Sequence, residues 1–368
     1  MMAEATLVGS PFPGFVYAQA PRNVYWETTI ACDLACKHCR ADAIHQRDAL
    51  ELSTEEACRL IDDIKTMGSM LILTGGDPMK RPDLFELIAY GREMGVPVSI
   101  TPSTTPTLTR DAVERFRALG VAALGISMDG PSPEVHDTFR GVPGTFQRSM
   151  DALGWAREFG LPVQVNTTVT RDTLPHLPAM YALLSQHAAP PVRRWSLFLL
   201  VPVGRGGGLG IPSAAEVERL FDWVYDLGPD APFHVGTVEA PHYRRYWIQR
   251  RLAAGMPPAA LGSMGKRVGL GVRDGNGVIF VSHRGDVFPA GFLPYPKLGN
   301  VRERPLSAIY REHPALLALR DMDALAGKCG GCDFRWACGG SRARAFSMTG
   351  DPMGSDPFCA YEPGTPAA

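Results

Sequence analysis

The chain has 368 residues, 45% of them hydrophobic and 20% charged, a composition that fits packed cores and excludes a disordered chain, a coiled coil or collagen. Lys and Arg number 37 against 38 Asp and Glu, so a net charge of -1 gives no global pull toward nucleic acid or an anionic membrane. The longest apolar run, residues 197–203, falls far short of the ~20 residues that span a bilayer. No Lys or Arg precedes Arg22, so no secretory signal is expected and the cytoplasm is the default compartment. At roughly 100–200 residues per domain, the length predicts two domains or one large domain with an appendage.

The first β-prone stretch, residues 24–29, runs straight into Cys32, Cys36 and Cys39. Ser53 and Glu56 then form a capping-box pair opening a helix, with Ala57, Leu60, Ile61, Ile64 and Met67 on one face and Gly68 as its stop. A strand at 70–73 follows, and the alternation repeats: helix 82–94 and strand 96–100, helix 109–119 and strand 121–126, helix 145–159 and strand 162–169, helix 174–187 and strand 194–201, helix 214–227. Six strand–helix units imply an α/β fold with a parallel sheet, either a partial barrel or a doubly wound sheet. Both architectures place chemistry at the C-terminal ends of the strands. The unusual polar sequences fall there: the cysteine loop, Thr74-Gly75-Gly76-Asp77-Pro78, Thr101-Pro102-Ser103, Ser127-Met128-Asp129-Gly130, and Pro202-Val203-Gly204-Arg205. Beyond about Pro232 the pattern loosens into a helix at 242–254, a Gly- and Pro-rich stretch, a hairpin at 278–288, and a helix at 308–319 leading to the last cysteines. This reads as a smaller α+β unit built around metal, with residues 364–368 as a frayed tail.

Eight cysteines in a reducing compartment do not suggest a disulfide framework, and their clustering points to metal instead. A [4Fe–4S] cube takes one thiolate per iron, so Cys32, Cys36 and Cys39 would leave one iron open to an exogenous molecule. The alternative is a zinc site completed by His38 or His45. Cys329, Cys332, Cys338 and Cys359 offer four thiolates whose spacing, taken alone, suits zinc well. Cys58 stands alone on the first helix and is assigned no role.

Cys32-Asp33-Leu34-Ala35-Cys36-Lys37-His38-Cys39 at the end of the first strand resembles the signature of the radical S-adenosylmethionine (SAM) family. Gly75-Gly76-Asp77-Pro78 resembles that family's GGE-P motif, with Asp77 in place of the usual Glu. The resemblance covers residues 22–235 and implies a partial (β/α)6 TIM-like barrel. It also implies a [4Fe–4S] cluster on Cys32, Cys36 and Cys39 that binds SAM, a reducing electron donor, and cleavage of SAM to a 5′-deoxyadenosyl radical. Gly75, Gly76 and Asp77 are then expected at the SAM ammonium, with Ser127, Asp129 and Arg140 around its carboxylate and ribose; the bland alternative for Arg140 is a surface salt bridge. The C-terminal spacing is similar to SPASM/twitch extensions, which implies an auxiliary [4Fe–4S] cluster on Cys329, Cys332, Cys338 and Cys359. A full SPASM domain would have a further cysteine at Arg342 and a pair near the hairpin, where His283 and Ala290 stand, so one auxiliary cluster is expected rather than two. The implied organisation is an N-terminal extension at 1–20, a radical SAM core at 21–235 and an auxiliary-cluster domain at 236–368.

Residues 200–206 and 21–40 look most like members that modify tetrapyrroles in haem and d1-haem pathways, for instance by removing propionates. The alternatives are a ribosomally made peptide as substrate, or an inactive iron–sulfur scaffold or sensor. A substrate with several carboxylates calls for arginines near the barrel mouth, and Arg205 is the expected partner, with Arg193 and Arg194 beside it. The run Arg244, Arg245, Arg250 and Arg251 is a second candidate or simply a solvated face. His234, His242 and His283 are conceivable haem ligands but more simply structural.

Overall fold

The computed structural model describes residues 16–187, 190–228, 230–257 and 272–364. Most of the expected N-terminal extension, much of the Gly- and Pro-rich stretch and nearly all of the expected tail lie outside the described residues. Ten strands form one sheet: β1 (Asn23–Glu27), β2 (Met70–Thr74), β3 (Val98–Ile100), β4 (Leu124–Ser127), β5 (Val163–Val169), β6 (Val192–Leu199), β7 (His234–Val238), β8 (Val278–Val281), β9 (Asp286–Phe288) and β10 (Gly299–Asn300). Their order is β10-β9-β8-β1-β2-β3-β4-β5-β6-β7. All neighbours from β8 through β1 to β7 run parallel, and only the β8–β9 and β9–β10 pairs are antiparallel.

Side-chain alternation decides which face packs. Val24 and Trp26 lie in register with Leu71 and Leu73, all fully buried beneath the helices. The residues between them face the other way; in β5 Gln164, Asn166 and Thr168 are half-buried between buried Val163, Val165, Thr167 and Val169. Burying each large apolar side chain contributes roughly 1.5–3 kcal/mol, and the buried set runs unbroken from Val24 through Trp195 to Leu199. Helix α1 (Thr54–Met67) buries the five apolar residues its periodicity predicts, carries both bonds of the Ser53–Glu56 capping box, and ends at Gly68 with φ 63°. Five more helices follow in the crossovers: α2 (Leu84–Glu93), α3 (Arg110–Ala118), α4 (Pro133–Arg140), α5 (Thr145–Phe159) and α6 (Leu177–His187). Helices α7 (Ala214–Asp226) and α8 (His242–Ala253) flank β7.

Three sequence expectations change. The parallel run holds eight strands, two past the six expected units: β7, a five-residue segment alongside β6 too short to show a periodic pattern, and β8, which reads as part of a hairpin but pairs parallel to β1. The helix expected at 308–319 is two, Leu306–Glu312 and Pro314–Arg320. His313, pushed out of the helical region by the following proline, is extended at φ -69°, ψ 125° and caps the second helix through Ala315 N. Helix α4 was not anticipated; Pro133 starts it and Gly141 stops it within a stretch that otherwise reads as loop.

β7 and β10 are the edges of the sheet, and the C-terminal segment ties the β7 side to the segment that precedes β8. Fully buried Arg344 donates to the carbonyls of Leu199 at 3.3 Å, Leu200 at 3.4 Å and Glu239 at 2.5 Å, and pairs with buried Asp356 at 3.2 Å. Glu239, just past β7, accepts from Ser341 Oγ at 2.6 Å and lies beside Asp274, which accepts from Ala343 N at 2.9 Å. Burial, then the neighbouring Asp274, pushes the Glu239 carboxyl up to about 8; Ser341 and Arg344 oppose the shift and Asp356 adds to it. The folded chain therefore keeps a proton that the unfolded chain, with an ordinary carboxyl value of 4.5, has released. Stability from this group is present below 4.5 and declines as pH rises through about 8. Glu239→Gln is expected to flatten that decline, whose slope is at most ~1.4 kcal/mol per pH unit. Urea unfolding of both proteins between pH 5 and 8.5 measures it; parallel slopes would show that the carboxyl does not hold the proton.

Candidate SAM-cluster site and the second cysteine group

The loop after β1 is closed on itself before any cofactor is considered. Cys32 N donates to Ile44 O at 2.7 Å, making a bridge between Ala31 and Ile44, and Cys39 N donates to Cys36 O at 3.3 Å. Cys32 and Cys36 are buried and Cys39 half-buried. Each sulfur already has a donor: Leu34 N on Cys32 at 3.4 Å, Ala43 N on Cys39 at 3.4 Å, and Arg140 Nη1 on Cys36 at 3.7 Å. Burial raises the Cys32 and Cys36 thiols, and Arg140 works against that rise at Cys36.

The strand ends hold this loop from all sides. Gly76 N donates to Thr29 O at 2.8 Å and Asp77 N to Ala31 O at 2.6 Å. A side chain on Gly75 would meet Thr29 O at 2.6 Å, and one on Gly76 would overlap the Ala31 carbonyl, so only glycines allow this approach. Across the loop, Arg205 donates from its backbone to Cys39 O at 3.0 Å, from Nε to Cys36 O at 2.9 Å and from Nη1 to Ala43 O at 3.2 Å. Gly204, at φ 53°, brings it there, and a Cβ at that position would sit 2.5 Å from Cys39 O. His38 stacks on Phe139 at 4.6 Å, and burial pushes its pKa down to about 4, so the ring is neutral.

Arg140 is no surface ion pair. It is buried, contacts Asp129 Oδ2 at 2.6 Å, and stays cationic because the nearby Asp129 and Cys36 outweigh desolvation. Burial works to raise Asp129, but Arg140, His38, His136 and the Thr168 N–H together more than offset it and hold the carboxyl below its usual range. Asp129 also accepts from Thr168 N at 2.7 Å, and its own N–H donates to His136 Nδ1 at 3.0 Å. Ser127, half-buried at the end of β4, stands opposite Asn166. Asp77 is fully buried and its carboxylate accepts from Met79 N at 3.1 Å, Ser103 N at 3.2 Å, Thr105 Oγ1 at 2.8 Å and Thr107 Oγ1 at 3.3 Å. Burial still raises its pKa despite those donors.

These residues fit an iron–sulfur cluster with a bound nucleotide. Three thiols share one braced loop, and Arg140 Nε, Arg205 Nη2 and His38 Nδ1 are buried around it with no hydrogen-bond partner among the described residues. Among the described residues no three His, Cys, Asp or Glu side chains converge on a single-ion position. A family model described as "Radical SAM superfamily" matches residues 26–184. The AdoMet-dependent heme synthase of Nitratidesulfovibrio vulgaris is 41% identical over 343 residues, 92% of each chain. That of Methanosarcina barkeri is 38% identical over 346 residues, 94% of this chain and 98% of its own. The chain belongs to the radical SAM superfamily. Its fold is also that of Streptococcus suis SuiB bound to S-adenosylmethionine, with a TM-score of 0.72 and 17% identity, covering 93% of this chain and 78% of that one. Membership brings SAM and a [4Fe–4S] cluster as the family's cofactors.

The second cysteine group also assembles. Cys329, Cys332, Cys338 and Cys359 line one cavity with His242, Arg245, Lys328 and Asp356. Asp356 N donates to Cys329 Sγ at 3.4 Å, Phe334 N to Cys332 Sγ at 3.4 Å, and Gly340 N to Cys338 Sγ at 3.3 Å. Burial pushes the Cys338 thiol up to about 12 and His242 down to about 3. Arg342 is fully buried, with Nη1 on the carbonyls of Pro352 at 2.9 Å and Gly354 at 2.6 Å and Nη2 on Cys329 Sγ at 3.7 Å.

Several residues land away from their expected places. Arg205 turns onto the cysteine loop rather than outward to a substrate. Arg193 is exposed, and Arg194 lies half-buried with Nε on Ser196 Oγ at 2.8 Å. In α8, Arg245 pairs with Glu218, and Arg250 with Asp222 at 2.9 Å and Asp226 at 3.3 Å, so that face of the run binds α7. Both ring nitrogens of His283 meet carboxylates, Glu27 at 2.7 Å and Asp48 at 3.3 Å. Glu27, Arg40, His136 and Glu239 were not singled out; only Arg40, directly after Cys39, had a local signal.

Arg205→Ala should leave the carbonyls of Cys36 and Ala43 without their side-chain brace, while the backbone bond to Cys39 O remains. A ~10–100-fold faster loss of loop-bound iron to a chelator is expected, by analogy with other outer-shell partners. Anaerobic chelator competition measures it, with Arg110→Ala, which removes an exposed pair with Glu158, as the control.

Proposed function

We propose that the chain is a radical SAM enzyme acting on a carboxylate-bearing tetrapyrrole, a haem or d1-haem precursor, by modifying side chains such as propionates. The observation that supports this most is identity to heme synthases along nearly the whole chain, joined to an intact and braced three-thiol loop. Cys32, Cys36 and Cys39 would hold the SAM-binding [4Fe–4S] cluster. Gly75 and Gly76 would present backbone to the SAM ammonium, with Asp77 fixing that turn from beneath. Arg140 and Ser127 would lie toward the SAM carboxylate and ribose. When bound, cluster and SAM supply a 5′-deoxyadenosyl radical, which takes hydrogen from carbon. The chain's part is to exclude water and hold the target carbon close.

Cys329, Cys332, Cys338 and Cys359 would hold an auxiliary [4Fe–4S] cluster, to which backbone N–H groups and Arg342 donate. Such donors stabilise the more negative, reduced state, which suits an acceptor of the electron left by substrate oxidation. A reducing partner, a cytoplasmic location and the core (21–235) and auxiliary (236–368) units complete the reading. Among the described residues no helix is long and apolar enough to cross a membrane.

Anaerobically reconstituted protein, dithionite, SAM and coprohaem should yield 5′-deoxyadenosine and a porphyrin lighter by one formic acid equivalent per side chain, read by mass spectrometry. Both clusters loaded but no 5′-deoxyadenosine would overturn the enzyme reading and favour a scaffold or sensor. Turnover only with a precursor peptide would replace tetrapyrrole by peptide.

A further inference from the structure

A cavity of about 200 Å³, open at its mouth, lies between the cysteine loop and the β8–β9 hairpin, lined among others by Glu27, Ile30, Arg40, Phe280, His283 and Ala290. Its walls are apolar. Phe280 faces Phe288 at a centroid distance of 6.4 Å. One edge is charged. The Arg40 guanidinium carbon sits over the Phe280 ring, 4.4 Å from its centroid, and Arg40 reaches Glu27 through Nη2 at 2.8 Å. Among the described residues its other guanidinium nitrogens have no hydrogen-bond partner, and with 22% of the side chain exposed they are reachable from the cavity. Glu27 is occupied on both oxygens, by Arg40 and by His283, and Asp48 by His283 and Arg284. The carboxylates are thus committed, while Arg40 keeps donors to offer.

We infer that this cavity receives the rim of the tetrapyrrole, with Arg40 anchoring one side-chain carboxylate and Phe280 and Phe288 supporting the ring; this rests on the tetrapyrrole reading above. A largely apolar, open cavity with a few convergent polar groups is the ordinary form of a small-molecule site, and its volume suits the edge of a ligand rather than the whole of it. A porphyrin rim bearing propionates has the matching character, a flat apolar body with anionic ends. The guanidinium is the side chain best shaped to meet a carboxylate, and its contact with the Phe280 ring holds it in place. Position adds to the case, because Arg40 directly follows Cys39 and a ligand held by it lies against the loop of the SAM-binding cluster. The hairpin leaves the room: Ala290 is small, and even a Cβ on Gly291 would come within 3.3 Å of the Phe280 ring and 3.7 Å of Arg40 Nε.

Soret titration of the reconstituted holoprotein with coprohaem and with its tetramethyl ester tests this, alongside Arg40→Gln, Arg40→Lys and Ala290→Leu. Expected are roughly tenfold weaker binding in Arg40→Gln, the size of one lost charge-assisted contact, and partial recovery in Arg40→Lys. The ester should bind wild type about as weakly as coprohaem binds Arg40→Gln, and Ala290→Leu, which fills the cavity without touching the ionic network, should lose binding. The EPR signal of the SAM-bound cluster should be the same in Ala290→Leu and wild type. Wild-type binding matched by Arg40→Gln and Ala290→Leu would overturn the cavity assignment and leave the tetrapyrrole reading standing. No coprohaem binding by wild type itself would overturn both.

Discussion

A loop carrying three thiols has no reason to keep them together unless its own backbone carbonyls are satisfied from elsewhere. Here they are, and from distant parts of the chain: Arg205 bonds the carbonyls of Cys36, Cys39 and Ala43, while the turn at Gly76 bonds those of Thr29 and Ala31. Buried polar groups cost roughly 1–3 kcal/mol each when left unpaired, so these bonds define the loop more firmly than the thiols can. The parallel sheet makes this possible, because it brings the ends of β1, β2 and β6 to one side. Arg140 adds the electrostatic part, placing a buried cation against Cys36 and anchoring it on Asp129.

The second cysteine group depends on the same kind of linkage. Asp356 lies between the two halves: it donates its N–H to Cys329 Sγ, accepts from Ser341 N, and pairs with Arg344, which holds the ends of β6 and β7. A buried ion pair adds little net stability, but removing one partner leaves an uncompensated charge worth about 3–5 kcal/mol. The geometry of the four thiols and the closure of the strand ends are therefore one problem, solved by one set of side chains. Strand β8, pairing parallel to β1, continues the same sheet into this region.

Local physics was legible and tertiary commitment was not. The α1 stripe, the Ser53 cap and the β8–β9 turn follow from periodicity and propensity within a few residues, and they stand as read. The helix break at Pro314 was also local, and the proline rule would have found it. Arg205 is different. Its number placed it after a strand, but whether its guanidinium turns outward or back depends on Gly204 allowing contact with Cys39 O, which involves residues more than a hundred positions away. The Glu239–Asp274 pair has no sequence signal, since neither carboxyl shows that the fold will bury it beside the other. The α8 arginines looked like a surface stripe because their partners, Glu218 and Asp222, lie on another helix.

Asp77 shows how a one-methylene difference changes what a carboxylate does. Its oxygen reaches the N–H of Met79 two residues on, capping the short turn at Pro78–Lys80, which is a reach natural to Asp and Asn. The same carboxylate then gathers Ser103, Thr105 and Thr107 from the loop after β3. A longer glutamate would carry its oxygens past this turn and lose the local bond. With four donors already in place, Asp77 acts on the site through the backbone it shapes. Ser103, which donates to Gly76 O at 3.0 Å and lies 3.4 Å from Cys32 Sγ, connects that shaped turn to the first thiol.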